Sequence, residues 1–233
     1  MNKQRKLGRG VAVVGAGLSK FGVYPKGVKA TDLFVEAFND LKKSMEKDFD
    51  PKEIESLYLG NLSSDLFEKQ IHLAPAVVNR IGLAPIPAIR IEDACAASGV
   101  AFREGVLSIA SGIHDLVLIG GVEKMTNLDT PQVTEVLASA LDPDTELVSG
   151  MTFPGIYATM ATAHMANYGT TEEDFMRIGI KNHYHGSLNP KAHFDVSIPQ
   201  LMEKRAHSAE KKGMPKPQWD NEFDFMKDDK TNP

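Results

Sequence analysis

Pro85-Ile86-Pro87-Ala88-Ile89-Arg90-Ile91-Glu92, the stretch Ala96 to Ser111, and Asp115-Leu116-Val117-Leu118-Ile119-Gly120-Gly121 together decide the fold. The first reads as a strand entered through prolines. The last is apolar throughout, as a strand covered on both faces must be. Between them Ala96 to Ser111 is poor in charge on most faces and stops at Gly112, which reads as a largely buried helix with a left-handed terminator. Strand, buried helix, strand is the signature of a right-handed parallel crossover.

The same alternation extends toward the N-terminus. Val11-Ala12-Val13-Val14 is a continuous apolar run ending at Gly15-Ala16-Gly17, and is expected to be a central parallel strand. Thr31 and Asp32 offer capping oxygens before Leu33, Phe34, Ala37, Phe38 and Leu41, whose spacing of three and four makes one apolar helical stripe. Ser56-Leu57-Tyr58-Leu59-Gly60 reads as a strand, and Ile71 to Ile81 as a helix closed by Gly82. The expected class is therefore α/β, a parallel sheet wrapped by helices.

From about Met125 the pattern loosens. Pro154 to Tyr168 has partial helical periodicity, and Thr171 with Asp174 resembles a capping box before another helix through Ile180. Beyond Pro199 only about a quarter of the residues are apolar, too few for a separate core. The organisation expected is thus a core at 1–124, a loop-domain segment at 125–198, and a charged tail at 199–233 that is flexible or ordered by a partner.

Composition narrows the function. The 233 residues are 42% apolar, and 26 Lys and Arg against 31 Asp and Glu give a formal charge of −5. No basic field exists to hold nucleic acid or an anionic membrane, so neither is expected as a partner. One cysteine, Cys95, allows no intramolecular disulfide and no cysteine-rich zinc site. With no secretory or membrane-spanning segment in view, a cytoplasmic location is expected.

Gly15-Ala16-Gly17 after a strand invites a dinucleotide reading, but Lys20 stands where the third glycine of that fingerprint belongs, which favours a plain tight turn. His183, His185 and His193 are the densest histidines. Lys181 and Lys191 flank them and would repel a cation, so no metal site is expected. Cys95 lies between a strand and a buried helix in Glu92-Asp93-Ala94-Cys95-Ala96-Ala97-Ser98-Gly99. A helix N-terminus there favours a thiolate, and small neighbours leave room for substrate, although Asp93 adds opposing charge. Read from these residues alone it is either a nucleophile or a small core filler, and the filler is the commoner role.

The run Asp93-Ala94-Cys95-Ala96-Ala97-Ser98-Gly99-Val100-Ala101 resembles the nucleophile motif of thiolases. Val117-Leu118-Ile119-Gly120-Gly121-Val122-Glu123-Lys124-Met125-Thr126 resembles the strand and turn that follow it in that family. Val11 to Gly15 with Lys20-Phe21-Gly22 is similar to the family's opening strand. Phe153-Pro154-Gly155-Ile156-Tyr157 and Asn189-Pro190-Lys191-Ala192-His193-Phe194 resemble the archaeal and lipid-transfer-protein branch.

The resemblance implies a thiolase-like α/β fold: the N-terminal half of a duplicated parallel-sheet-plus-helices architecture, with an appended loop domain. It implies that Cys95 is the acyl-accepting nucleophile, that its backbone N–H contributes to an oxyanion hole, that Gly120 and Gly121 are turn residues near the site, and that coenzyme A and acyl-CoA are substrates rather than bound cofactors. Individual coenzyme A contacts are left unassigned. The family's Gly-His-Pro histidine, its Asn-Glu-Ala-Phe motif and its second cysteine are missing from these residues. The expectation is therefore the nucleophile-bearing subunit of a split thiolase, completed by a complementary C-terminal-half polypeptide, with a second copy of itself and an OB-fold, zinc-ribbon companion as further partners. A non-catalytic thiolase-like scaffold and a retro-aldolase of the lipid-transfer branch are the alternatives.

Overall fold

A computed structural model describes residues 8–45 and 49–228. Its elements run α1 (Ala30–Ser44), β1 (Ser56–Gly60), α2 (Ser64–Glu68), α3 (Leu73–Arg80), β2 (Ala88–Ile91), α4 (Ala97–Ser111), β3 (Val117–Gly121), α5 (Thr130–Ala138), α6 (Phe153–Tyr168), α7 (Glu172–Ser187), α8 (Ile198–Lys211) and α9 (Glu222–Lys227). They divide into two compact units, one reaching to Thr152 and the other comprising Phe153 onward with Lys20–Gly22.

In the first unit three parallel strands lie in the order β2-β1-β3. Leu57 pairs with Ala88 on one side and Leu118 on the other. Leu57 and Leu59 of the middle strand are fully buried, and with Leu118 they pack against Phe34 and Phe38 of α1 and Leu73 and Val77 of α3. Because side chains alternate along a strand, Ile119 points to the opposite face. There α4 covers the sheet, and Gly105 gives Ile119 room: a Cβ at that glycine would lie 2.4 Å from Ile119 Cδ1. Gly82 and Gly112 end α3 and α4 with φ of +78° and +80°, the left-handed stops read from the sequence.

The strand expected at Val11–Val14 is not formed. This segment is irregular, with Val13 71% and Val14 61% exposed. Its ends are held by side chains instead of a ladder. Arg9 donates from Nε to the Ile109 carbonyl at 2.5 Å and pairs with Asp115 at 2.6 Å. The N–H groups of Ala16 and Leu18 donate to Ser44 Oγ at 3.2 Å and Asp40 Oδ2 at 3.0 Å, both on α1. Between the segment and β3 lies a cavity of about 560 Å³ lined by α1, α4 and β3. Gly15 and Gly17 serve close approach to α1, since a Cβ on Gly17 would sit 2.2 Å from the Ala37 carbonyl oxygen. The start of α1 also differs from the reading. The helix begins at Ala30, and Asp32 in its first turn accepts from the Lys29 N–H at 3.0 Å, while the Ala30 N–H donates to Glu68.

Residues 125–152, assigned from the pattern to the loop segment, pack with the first unit, where Ala138 and Leu141 are buried. The capping box of α5, with Gln132 N–H donating to Asp129 Oδ1 at 3.0 Å, starts this stretch as a helix.

In the second unit α7 begins at the box anticipated from Thr171 and Asp174, and α8 and α9 pack against it and each other. The tail expected to be flexible or partner-ordered is helical over much of 198–227. Ser197 and Asn221 cap its two helices, and Trp219 packs edge-on to Phe225 at 5.0 Å. Composition missed this because the few apolar residues here are placed to pack, with Ile198 and Phe225 buried among α7, α8 and α9. Phe21 N–H donates to the Lys191 carbonyl at 2.8 Å, tying Lys20–Gly22 to this unit. α6 carries no charged residue, and none of its sixteen residues is buried. No helix among the described residues is long and apolar enough to cross a membrane.

Candidate active site

Parallel α/β sheets bind ligands beyond the carboxyl ends of their strands, where helix N-termini and strand-to-helix loops converge. Three loops meet there: 61–63 after β1, 92–96 after β2, and 122–127 after β3. Cys95 is in the second, within a single 3-10 turn (Ala94–Ala96) that runs directly into α4, and it is exposed. The filler role that a lone cysteine among alanines usually plays does not describe this thiol. Ala94, just before it, has φ +45°, a left-handed conformation that disfavours a side chain and makes the turn sharp. Glu92 Oε1 fixes that turn by accepting from the Ala94 N–H at 2.6 Å, and the Asp93 carbonyl accepts from the Ala96 N–H at 2.8 Å.

The turn is pinned to the sheet from behind. Ser98, three residues after Cys95, fits between Gly60 and Gly121: a Cβ on Gly60 would lie 2.6 Å from Ser98 Cα, and one on Gly121 would lie 2.0 Å from Ser98 Oγ. Gly120 similarly admits Phe34, whose Cε2 would be 2.5 Å from an added Cβ. Gly120 and Gly121 are thus near the site as expected, but they belong to β3 rather than to a turn, and closeness of packing explains both.

Behind these loops is a buried polar network that sequence reading did not find. The Asn61 N–H donates to the Ile91 carbonyl at 3.1 Å, its Nδ2 donates to the Val122 carbonyl at 2.8 Å, and its Oδ1 accepts from the Ser64 N–H at 3.0 Å. Glu123 accepts from the N–H groups of Leu62 at 2.7 Å and Ser63 at 3.3 Å. Burial raises its carboxyl above the ordinary value, opposed by those two donors, by the Asn61 amide and by Arg90. Arg90 pairs with Asp65 at 2.9 Å and donates to the Leu62 carbonyl at 2.8 Å. Lys124, 2% exposed, donates to Thr126 Oγ1 at 2.5 Å, Asn127 Oδ1 at 3.1 Å and the Tyr24 carbonyl at 3.3 Å, and burial lowers its ammonium below the ordinary range. The bonds that join the loop after β1 to the one after β3, from Asn61 to Val122 and from Leu62 and Ser63 to Glu123, span about sixty residues, beyond the reach of periodicity. The one signal on offer was polar side chains immediately after apolar strands.

The three histidines do not make a cluster. His183 Nδ1 faces the Val196 carbonyl at 3.1 Å and packs on Phe194, and no group of three or more metal-binding side chains occurs among the described residues.

The thiolase N-terminal domain model matches residues 11–220. An acetyl-CoA acetyltransferase of Methanothermobacter thermautotrophicus is 40% identical over 196 residues, covering 83% of this chain and 50% of the relative. The benzoylsuccinyl-CoA thiolase subunit BbsB of Thauera aromatica is 32% identical, covering 86% of this chain and 50% of the relative. Sterol carrier protein 2 of Bos taurus is 28% identical, covering 87% of this chain and 38% of the relative. The chain spans about half the length, or less, of the curated relatives it matches. An α/β parallel sheet, the Cys95 turn at the start of the helix that covers one face of it, and a family match over most of its length lead to one conclusion: the chain belongs to the thiolase family, through that family's N-terminal domain.

Proposed function

We propose that this chain carries the nucleophile of an acyl-CoA thiolase and that the nucleophile is Cys95. The observation that supports this most is the place of the thiol: exposed, in a sharp turn beyond the carboxyl ends of the strands, at the entrance to a fifteen-residue helix. Such a helix start favours the negative charge that develops on the acyl oxygen after attack.

In the degradative direction the Cys95 sulfur attacks the ketone carbon of a 3-oxoacyl-CoA. The bond between C2 and C3 then breaks, and its electron pair takes a proton at C2, releasing the shorter acyl-CoA. The acyl group left on Cys95 is taken by the sulfur of coenzyme A, which gives up its proton, and the cysteine leaves as thiolate. The acid and base for these transfers are a second thiol and a histidine, which the complementary half of the fold supplies from outside these 233 residues. Reversal condenses two acyl-CoAs.

Co-expression with a C-terminal thiolase half, for instance that of the Methanothermobacter relative, tests the reading. Thiolysis of acetoacetyl-CoA by the assembly, its loss in Cys95→Ala with assembly intact, and acyl-CoA protection of Cys95 from iodoacetamide are expected. An assembly that cleaves acetoacetyl-CoA equally well without Cys95 overturns it. A retro-aldol enzyme or a scaffold would leave Cys95 unacylated, which separates both from this reading.

A further inference from the structure

The eight-residue span that carries Cys95 is held at both ends by two adjacent residues. At its start the Ile91 carbonyl accepts from the main-chain N–H of Asn61, and at its end Ser98 fits against Gly60. Gly60 and Asn61 therefore act as a clamp on the turn between. The backbone ladder joins Gly60 to β3, where it pairs with Gly121 and its carbonyl accepts from the Val122 N–H at 3.3 Å. Just past the end of that ladder the carboxamide of Asn61 continues the link, donating to the Val122 carbonyl and accepting from the Ser64 N–H. Asn61 is 2% exposed, so these bonds have no water to replace them.

We infer that Asn61 is a positioning residue for the nucleophile: its carboxamide sets where the 91–98 span sits and so where the Cys95 sulfur meets an acyl carbon. This rests on the reading of Cys95 as the acyl acceptor. Only a carboxamide of this length joins a donor and an acceptor in the required order. Alanine provides neither, and aspartate keeps the acceptor toward Ser64 but loses the donor toward Val122 while adding charge beside Glu123.

Acyl transfer depends on trajectory, and a displacement near 1 Å lowers it by about a hundredfold. Alkylation by a small reagent that approaches from solvent has no such requirement. The test compares the two in the co-expressed assembly for wild type, Asn61→Ala and Asn61→Asp. Acyl-Cys95 formation from acetyl-CoA is followed by peptide mass spectrometry, alkylation by iodoacetamide is followed in parallel, and both rates are normalised to the folded fraction. Acylation is expected to fall about ten- to a hundredfold in both variants while alkylation stays within about twofold of wild type. A residue that only stabilises the fold would change the unfolding midpoint and leave both rates per folded molecule unchanged, and that result overturns the inference. So does a parallel fall in both rates, which would mean that Cys95 has become occluded rather than misaligned. If wild-type Cys95 takes no acyl group although the assembly cleaves acetoacetyl-CoA, the reading of Cys95 falls and this inference with it.

Discussion

Adding one methyl group at Gly60 should displace the nucleophile turn. The new Cβ would stand 2.6 Å from both the Cα and the N of Ser98, and ordinary contact begins near 3.4 Å. About 0.8 Å must open, and the opposing atoms are backbone in the first turn of α4, so no side chain can rotate away. Retreat of β1 is blocked because Leu57 and Leu59 are fully buried on its other face. The movement therefore falls on α4 and on the Cys95 turn joined to it. Overpacking of this kind costs about 1–3 kcal/mol, which for a protein of this size lowers the unfolding temperature by about 2–4 °C per kcal/mol. The same shift should reduce acyl transfer to Cys95 by about a hundredfold per folded molecule. Thermal unfolding by circular dichroism measures the first effect, and single-turnover acylation by acetyl-CoA in the co-expressed assembly the second. Gly60→Ala with wild-type stability and wild-type acylation would refute the packing account. A stability loss with unchanged acylation would show that the strain is absorbed away from Cys95.

Other substitutions test separate parts of the structure. Leu59→Ala removes a fully buried side chain from the middle strand and should cost about 2–5 kcal/mol in chemical denaturation, with no relief from repacking between α1 and α3. Thr171→Ala removes the oxygen that accepts from the Asp174 N–H at 3.3 Å, and should lower the stability of the second unit by about 1 kcal/mol. Glu123 has a folded-state carboxyl raised above 4.5, so the native state holds its proton more tightly than the unfolded chain, and stability from this group declines as pH rises from about 4.5 through the raised value. Glu123→Gln does not titrate there, so the variant should gain on wild type over that interval. A gap moving the other way would mean that the hydrogen bonds from Leu62 and Ser63, not burial, dominate the carboxyl.

The pattern of residues carried much of this architecture. β1, β2 and β3 are short apolar runs between turn signals, α4 is a charge-poor stretch ended by glycine, and α7 begins at a box visible as Thr171 and Asp174. Each of these depends on neighbours in sequence. What failed depends on distance. Val11–Val14 has the composition of a covered strand, yet it is irregular and exposed, and what holds its flanks, Arg9 on Ile109 and Asp115 and the Ala16 and Leu18 N–H groups on α1, joins residues far apart in sequence that no local pattern displays. The tail read as flexible or partner-ordered is helical because Ser197 and Asn221 cap α8 and α9 and their few apolar residues, Ile198 and Phe225 among them, are placed where they are buried, which overall composition does not show. Of the candidate site, Cys95 stood out in the sequence through its resemblance to a family motif, whereas Asn61, Glu123, Arg90 and Lys124 become meaningful only when the parallel register brings three strand ends together.

The central claim is that Cys95 accepts the acyl group. The most direct measurement is intact-protein and peptide mass spectrometry of the co-expressed assembly quenched in acid after brief exposure to acetoacetyl-CoA without free coenzyme A. The account predicts a single acetyl adduct on the peptide that contains Cys95, discharged when coenzyme A is added and absent from Cys95→Ala. An adduct on any other residue, or thiolysis by Cys95→Ala above about a thousandth of the wild-type rate, would contradict it.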